Sequence, residues 1–455
     1  MKLPRGFSLT SVRYSSRIPK LAIIGSGPAA FYTALHVLKS TRMQIDMFEQ
    51  NPTPYGLVRY GVAPDHPEVK NCIERFKDVE EYGNNFKFFG NVKVGSDIKL
   101  ADLYENYNGV LYAYGSSDAN IPNIAGVEHS AVIDSKSFVG WYNNDPNHKN
   151  LNPPLEKAKT VTIVGNGNVA IDIVRILLSK IEHWEKTDIS DYALEKLKIS
   201  TVSKVNVVAR KGVLESKFTN KELRELLEME NVGFVGYNKD LFEIEGKSLD
   251  RINKRRISLL DKFSGKQGSR AWELHYLKNP IGFKVENDQL LKELIISKNK
   301  IVKYEDGTSS IEPKMEFGDV DSDLVILATG YKATPLEEFE NLGVPFENGL
   351  IPNDNGKVIG KENSYCVGWV ATGSTGNINS TVLSSSIAAE TITADMAETS
   401  EEKPGRKAIE DLLRNASVKP ITWKQWLDVE NKEIELGAQK GKSAQRLSFD
   451  EIKAL

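Results

Sequence analysis

Two short apolar runs, each broken by a pair of glycines and followed at once by a helical repeat, give the chain its outline. The first is Leu21–Ile24, four apolar residues that predict a buried strand. Gly25 and Gly27 follow, and then a helical pattern with apolar Phe31, Ala34, Leu35 and Leu38. The second run is Val161–Val164. It passes through Gly165-Asn166-Gly167-Asn168-Val169-Ala170 into a helix with Ile171, Val174, Leu177, Leu178 and Ile181 on one broad face. Further strands are predicted at Ile45–Phe48, Phe86–Phe89, Val92–Val94, Gly109–Gly115, Val205–Ala209, Asp321–Gly330 and Tyr365–Trp369. Helices are predicted from Ile73 to Tyr82, over Phe218–Val232 with Thr219 or Asn220 as N-cap, from Arg251 through Leu260, and over Thr381–Met396. Between them, Asn51–Asn71 is rich in Pro and Gly and carries no long repeat. A loop of that length inside a domain is usually functional. His183–Ser200 reads as a polar insertion on the second helix. Thr399–Leu455 reads as a charged helical tail with Trp423 and Trp426 as docking residues.

Strand, Gly-x-Gly-x-x-Ala turn and helix together make the phosphate-cradling start of a dinucleotide fold. Gly25 would make the turn, Gly27 would let the backbone approach a pyrophosphate, and Ala30 would permit close helix–strand packing. The anion would sit on the free N–H groups of the helix start. Glu49 closes the next strand, where an acid accepts hydrogen bonds from ribose hydroxyls. The second copy, at Gly165 and Gly167, predicts a second dinucleotide. Its next strand ends in Arg210 and Lys211 instead of an acid, which suits a 2′-phosphate and so NADP over NAD. The basic run Arg251-Ile252-Asn253-Lys254-Arg255-Arg256 is either a solvated face or a dock for an acidic partner.

The 455 residues allow two or three domains, and a net charge of -3 offers no bulk basicity for nucleic acid. Only Cys72 and Cys366 are present, far apart and outside any Cys-x-x-Cys pair. That excludes a disulfide framework, makes metal or dithiol chemistry on the protein unexpected, and speaks against a dithiol reductase. The first residues hold Lys2, Arg5, Arg13, Arg17 and Lys20 with several serines and no acid before Asp46, the composition of a mitochondrial transit peptide.

Several blocks carry a resemblance to one family. They are PYGLVRYGVAPDHPEVKN (Pro54–Asn71), VGNGNVAIDIVRILL (Val164–Leu178), FTNKELREL (Phe218–Leu226), SRAWELHYLKNP (Ser269–Pro280) and GWVATGSTGNINST (Gly368–Thr381). From about Lys20 onward the chain resembles the adrenodoxin reductase family, mitochondrial NADPH:ferredoxin reductases with FAD, and looks like a fungal member. The resemblance implies an α/β, glutathione-reductase-like fold of two Rossmann-like domains. A discontinuous FAD domain (19–115 and 331–455) would hold an inserted NADP domain (116–330), after a transit peptide over 1–18. It implies that FAD is bound by Gly25, Gly27, Pro28, Ala29, Ala30, Glu49, Gly56, Leu57, Val58, Arg59, Trp369, Gly376 and Ile378. NADPH would be bound by Gly165, Asn166, Gly167, Asn168, Val169, Arg210, Lys211 and Gly376. His66 and Asp172 would manage protons or orient groups, with Trp369 beside the flavin. Arg224, Arg251, Lys254, Arg255 and Arg256 would receive an acidic [2Fe–2S] ferredoxin. The family also implies the mitochondrial matrix and admits peripheral association with the inner membrane. This chain departs from the family at Lys211, where a second arginine is usual, at Ala30, where glycine is commoner, and at Ala371-Thr372, where the family stretch is more basic. A flavin monooxygenase and a non-catalytic dinucleotide sensor are the remaining readings. Product oxygenation would reveal the one, and hydride transfer would exclude the other.

Overall fold

A computed structural model describes residues 18–241, 249–303, 309–376, 378–397, 399 and 401–455. The expected transit segment, all but Ile18, lies outside them.

The chain builds one parallel sheet, leaves it to build a second, and returns. The first unit runs β1 (Lys20–Ile24), α1 (Pro28–Ser40), β2 (Gln44–Glu49), β3 (Phe86–Gly90) and β4 (Gly109–Tyr112). These strands are buried almost throughout because helices and loops cover both faces of a parallel sheet. The second unit holds β5 (Val132–Asp134), β6 (Thr160–Val164), α2 (Asn168–Leu178), β7 (Lys204–Val208), α3 (Asn220–Glu228), β8 (Val232–Tyr237), α4 (Arg251–Phe263) and β9 (Arg270–His275). It continues through three antiparallel strands, β10 (Lys278–Asn287), β11 (Leu290–Lys303) and β12 (Ser309–Asp321), to β13 (Leu324–Leu327). The chain then returns to the first sheet with β14 (Ser364–Cys366), α5 (Ile378–Met396) and α6 (Trp423–Gln439).

In the first sheet the order is β14-β4-β1-β2-β3, extended beyond β14 by the two-residue strands 353–354 and 357–358; in the second it is β5-β13-β6-β7-β9-β8. Both place the strand that enters a glycine turn, β1 or β6, between parallel neighbours. The chain's two crossings between the sheets lie side by side, since 118–119 pairs antiparallel with 331–332.

Several expected elements differ. The helix expected over Ile73–Tyr82 is a short α-helix, Cys72–Phe76, that tightens into a 3-10 stretch over Lys77–Asn85. The helix expected over Phe218–Val232 is confined to α3. Thr219 caps it, accepting from the Glu222 N–H at 3.2 Å, and left-handed Asn231 turns the chain into β8. Val92–Val94 forms no strand, only a bridge from Val94 to Ile98. The 183–200 insertion holds the helices Ile181–Trp184 and Asp191–Lys198, with Trp184 and Leu194 buried.

The tail docks through its tryptophans. Trp423 and Trp426 on α6 enter an aromatic cluster with Phe31, Tyr55, Phe86 and Phe88, and the Trp426 indole N–H donates to Tyr55 Oη at 3.2 Å. Two helical turns further, Glu433 is wholly buried. It accepts a bidentate pair from Arg59 at 2.9 and 2.6 Å and a third bond from Arg446 at 2.9 Å. Arg446 continues to Asp188 of the insertion at 2.7 Å, and Asp188 accepts from Lys70 at 2.8 Å. Alternating charges therefore tie the Asn51–Asn71 loop, the tail and the second unit together.

Candidate functional site

The first cradle lies where β1 turns into α1. Gly25 has φ +98°, and a Cβ there would stand 2.6 Å from the Tyr114 Cα, so only glycine fits the turn. At Gly27, by contrast, a Cβ would meet nothing within 4 Å. The start of α1 therefore opens onto space that a pyrophosphate can fill. Ala30 is fully buried, and a Cβ on Gly368 (φ +75°) would come 2.8 Å from that of Ala29, so small residues let the Gly368–Trp369 turn approach α1. Glu49 stands at the end of β2. It accepts from Ser26 Oγ at 2.6 Å and from the Asn51 N–H at 2.9 Å, and burial raises its carboxyl above the usual range. Ser26, the middle residue of the glycine turn, was not singled out by sequence; it ties the turn to the acid. Tyr55, at φ +82°, donates its N–H to Ser26 O at 2.9 Å and brings Gly56 opposite Gly27, ahead of the short helix Leu57–Tyr60. Val58 is buried within that helix and Leu57 half-buried. α5, which begins at Ile378 after Gly376, packs on α1 from the other side: two turns in, Ser385 Oγ donates to the Ala29 carbonyl at 3.3 Å.

Arg59 departs from expectation. Its guanidinium turns away from the cradle into the pair with Glu433, lying 5.0 Å over the Trp426 ring, because a buried charge needs a buried counter-charge. Its side chain braces the loop, so any lining of the cofactor by Arg59 falls to its backbone and not to its guanidinium.

The second cradle repeats the geometry. Gly165 (φ +132°) lies so close to the Ala328 carbonyl that a Cβ would collide with it, and at Gly167 a Cβ would again meet nothing within 4 Å. Val169, half-buried, follows in the first turn of α2. Asn166 O accepts the Lys217 and Phe218 N–H groups at 3.0 and 3.1 Å, and Asn168 Oδ1 accepts the Thr219 N–H at 2.8 Å. The loop that starts at Arg210 and Lys211 is thereby laced to the glycine turn. Both cations are exposed and without an ion-pair partner among the described residues, and they border a cavity of about 460 Å³. Two open glycine cradles, one with an acid at the next strand end and one with two cations, fit a pair of dinucleotides.

A polar cluster joins the units. His66 is buried, with Nε2 3.1 Å from Glu225 and Nδ1 3.6 Å from Glu222. Arg175 on α2 pairs with Asp172 at 2.9 Å, with Glu222 at 3.3 Å and with Asp65, which also takes His183 at 2.9 Å. His66 and Asp172 therefore share one network through Glu222 and Arg175, although neither touches the other's ion-pair partner alone. Trp369 stacks on Tyr331, centroids 5.9 Å apart. His66, Glu222 and Glu225 also place three donor atoms near one another, but Arg175 and the histidine already answer the carboxylates.

Burial, with the nearby Glu222 and Asp65 carboxylates, pushes Asp172 up to about 8 against the opposing pull of Arg175. A carboxyl raised in the folded state favours its neutral form, so it weighs against folding increasingly as the pH rises from about 4 to about 8. Ionisation also adds a negative charge beside the second cradle. The pH profile of kcat/KM for a bound reduced nucleotide should accordingly bend downward near pH 8. Asp172→Asn should flatten that limb, and an unchanged bend in this variant would reassign the group.

On the outer side, α3 and α4 lie together, with Asn220 Nδ2 donating to Ile252 O at 3.0 Å. Arg251, Lys254 and Arg255 are exposed and Arg224 half-buried, none with an ion pair among the described residues. Arg256 is corrected: it is 5% exposed and turned inward. Its guanidinium donates to Val213 O, Leu214 O and Phe218 O at 3.3–3.4 Å and lies 5.5 Å over the Phe218 ring. It stands one helical turn before buried Leu260, a spacing that could have marked it as inward-facing. Arg256→Met should therefore raise the nucleotide KM through a loosened 213–218 loop and cost about 2 kcal/mol of stability, without weakening an acidic partner's docking. A partner-affinity loss with intact nucleotide binding would return Arg256 to the docking face.

The two cysteines lie in separate places. Burial pushes the Cys72 thiol up to about 11 and that of Cys366, inside β14, up to about 12, so neither is poised as a thiolate and no dithiol forms.

Comparison with known proteins agrees with this geometry. Residues 19–237 match the family model described as pyridine nucleotide-disulphide oxidoreductase. The chain is 36% identical over 455 residues to the mitochondrial NADPH:adrenodoxin oxidoreductase of Salvelinus fontinalis, covering 94% of this chain and 89% of the relative. It is 37% identical over 432 residues to the probable mitochondrial enzyme of that name from Schizosaccharomyces pombe, covering 92% and 91%. Among solved structures, Mycobacterium tuberculosis FprA in complex with NADPH superposes with a TM-score of 0.88 at 32% identity, over 96% of this chain and 99% of that one.

Proposed function

Since the chain belongs to the NADPH:adrenodoxin oxidoreductase family, we propose that it is an FAD-dependent mitochondrial reductase that passes electrons from NADPH to an acidic [2Fe–2S] ferredoxin. The observation that carries this reading is the pair of open glycine cradles, one backed by Glu49 and the other by Arg210 and Lys211.

Residues 19–115 and 331–455 form the FAD domain and 116–330 the NADPH domain. Gly25, Gly27, Pro28, Ala29 and Ala30 receive the FAD pyrophosphate on the start of α1, and Glu49 takes a ribose. Gly56–Val58, Gly376 and Ile378 close around the same cradle. Gly165 to Val169 hold the NADPH pyrophosphate, with Gly376 at the junction of the two nucleotides. FAD held there would supply hydride acceptance from NADPH and the release of electrons one at a time. The chain's own residues position and shield. Trp369, stacked on Tyr331, walls the junction. His66 and Asp172 set its charge through Glu222 and Arg175, Asp172 holding a proton at neutral pH. Replacing His66 with glutamine and finding hydride transfer and ferredoxin reduction unchanged would remove the role given to His66. Arg224, Arg251, Lys254 and Arg255 form the docking face. The matrix is the compartment this reading assigns, with docking at the matrix face of the inner membrane as its finer form; no helix among the described residues is long and apolar enough to cross a membrane.

The test is cytochrome c reduction by NADPH, with and without a mitochondrial [2Fe–2S] ferredoxin, at low and raised salt. A large ferredoxin-dependent rate that falls with salt is expected. Rapid NADPH oxidation without ferredoxin dependence would overturn the acceptor.

A further inference from the structure

The cavity beside Arg210 and Lys211 has a wall that neither glycine unit supplies. It is formed by Asn279 on β10, Asn299 and Ile301 on β11, and Ile311 and Pro313 on β12. The antiparallel sheet thus reaches over the turn that leaves β7. Two backbone bonds hold that turn from the β9–β10 junction: Leu277 N–H to Lys211 O at 3.2 Å and Lys278 N–H to Ala209 O at 3.0 Å. The carbonyl between them, that of Arg210, is taken by a side chain. Asn299 Nδ2 donates to it at 2.9 Å, and Asn299, 7% exposed, is itself pinned by its N–H to Leu277 O at 2.7 Å.

Strand irregularity puts Asn299 there. Ser297 pairs with Phe317 but Asn299 pairs with Pro313, so three residues of β12, Lys314, Met315 and Glu316, oppose Lys298 of β11 alone. Such a bulge bends the strands and re-aims the side chains beyond it, as bulges beside binding sites commonly do. Glu215, the acid in the lining, is turned onto the backbone, where it accepts the Gly212 N–H at 3.0 Å. The cavity is left with two cations that have no ion-pair partner among the described residues, two amides and an apolar floor, the chemistry of a 2′-phosphorylated adenosine.

We propose that Asn299 is a specificity-determining residue for the nucleotide. By fixing the Arg210 peptide it sets the position from which Arg210 and Lys211 bracket the 2′-phosphate, while Ile301, Ile311 and Pro313 give the adenine an apolar surface. The proposal rests on the NADPH reading of the second cradle. Asn299 is a positioning residue: it acts through Arg210.

The FAD-loaded protein tests this, assayed with NADPH and with NADH and titrated with 2′,5′-ADP and with ADP. In Asn299→Ala the KM for NADPH should rise about tenfold, the size expected when one positioned charge-assisted contact is lost, while kcat stays within about twofold. The affinity for 2′,5′-ADP should fall in parallel, and the NADH KM and ADP affinity should hold. Asn299→Ser, which keeps a shorter donor, should recover part of the loss, and it serves as the reading if the alanine variant does not fold. An equal rise for both nucleotides, or unchanged 2′,5′-ADP binding in either folded variant, overturns the proposal. An unmutated protein that prefers NADH and ignores 2′,5′-ADP overturns the NADPH reading itself, and the proposal with it.

Discussion

Glu433→Ala is expected to lower stability by about 3–5 kcal/mol, because it strands the Arg59 and Arg446 guanidinium groups inside the protein. Removing one member of a buried ion pair leaves an uncompensated charge, whereas replacing the group as a whole by apolar residues can be neutral. The melting temperature of the FAD-loaded protein should therefore fall steeply in Glu433→Ala and recover in part in Arg59→Met/Glu433→Leu. FAD release should advance with it, since Arg59 follows directly on the Gly56–Val58 loop opposite Gly27. A single variant that melts with the parent protein would show that water already reaches the pair. The same network sets an acid limit. Arg59 and Arg446 hold the Glu433 carboxyl below its usual range, and Lys70 and Arg446 do the same for Asp188, although burial alone would raise both. For depressed carboxyls the stabilisation is present above the unfolded pKa, about 4, and is lost as the pH falls below it. Thermal melts should accordingly collapse below about pH 4, a loss separate from the decline toward pH 8 that the raised Asp172 carboxyl imposes, and the acid collapse should be shallower in the Met/Leu double variant.

Reversing the charge of Arg251, Lys254 and Arg255 together should reduce the ferredoxin-dependent rate about 100-fold at low salt, since like charges facing across an interface cost several kcal/mol. The deficit should shrink as salt screens the approach, over a length of about 10 Å at 0.1 M. NADPH-driven reduction of a small uncharged quinone should persist, because these three side chains lie on the outer face of α4 while the inward Arg256 alone reaches the nucleotide loop. If quinone reduction falls as far as ferredoxin reduction, the helix has been disturbed and the docking face must be sought elsewhere. A full ferredoxin rate at low salt would remove these cations from the interface.

Both glycine units were legible because each is local: strand, turn and helix occupy consecutive residues, and the period of apolar positions changes at the glycines. Glu49 and the Arg210-Lys211 pair were legible for the same reason, as each closes a strand already identified. The antiparallel sheet was not. Its strands are half exposed, rich in lysine, and interrupted by bulges at Pro280/Gly282, Lys284/Val285 and Ser297/Asn299, so no alternation survives long enough to announce them. Arg59 looked like a loop residue facing a cofactor because its partner stands on the far C-terminal helix, and nothing in its neighbourhood announces Glu433. The signal lay on α6, where Trp426, Val429, Glu430 and Glu433 share the buried stripe and an acid on an apolar stripe asks for a cation. Arg256 was misplaced by reading a run of charges as one surface, when a helix divides four consecutive residues among all its faces.

The way the chain leaves the first sheet and returns has a consequence for its biogenesis. β4 takes β1 as one neighbour at once, but its other neighbour, β14, is made only after the whole second unit. The aromatic cluster under β1 likewise waits for α6, near the end of the chain. A chain emerging N-terminus first, from a ribosome or through a membrane pore, therefore completes the inserted unit while the surrounding one still has an open sheet edge and a half-filled core. The outer unit can then close only around that insert, whose two crossings are tied side by side by the antiparallel ribbon of 118–119 with 331–332.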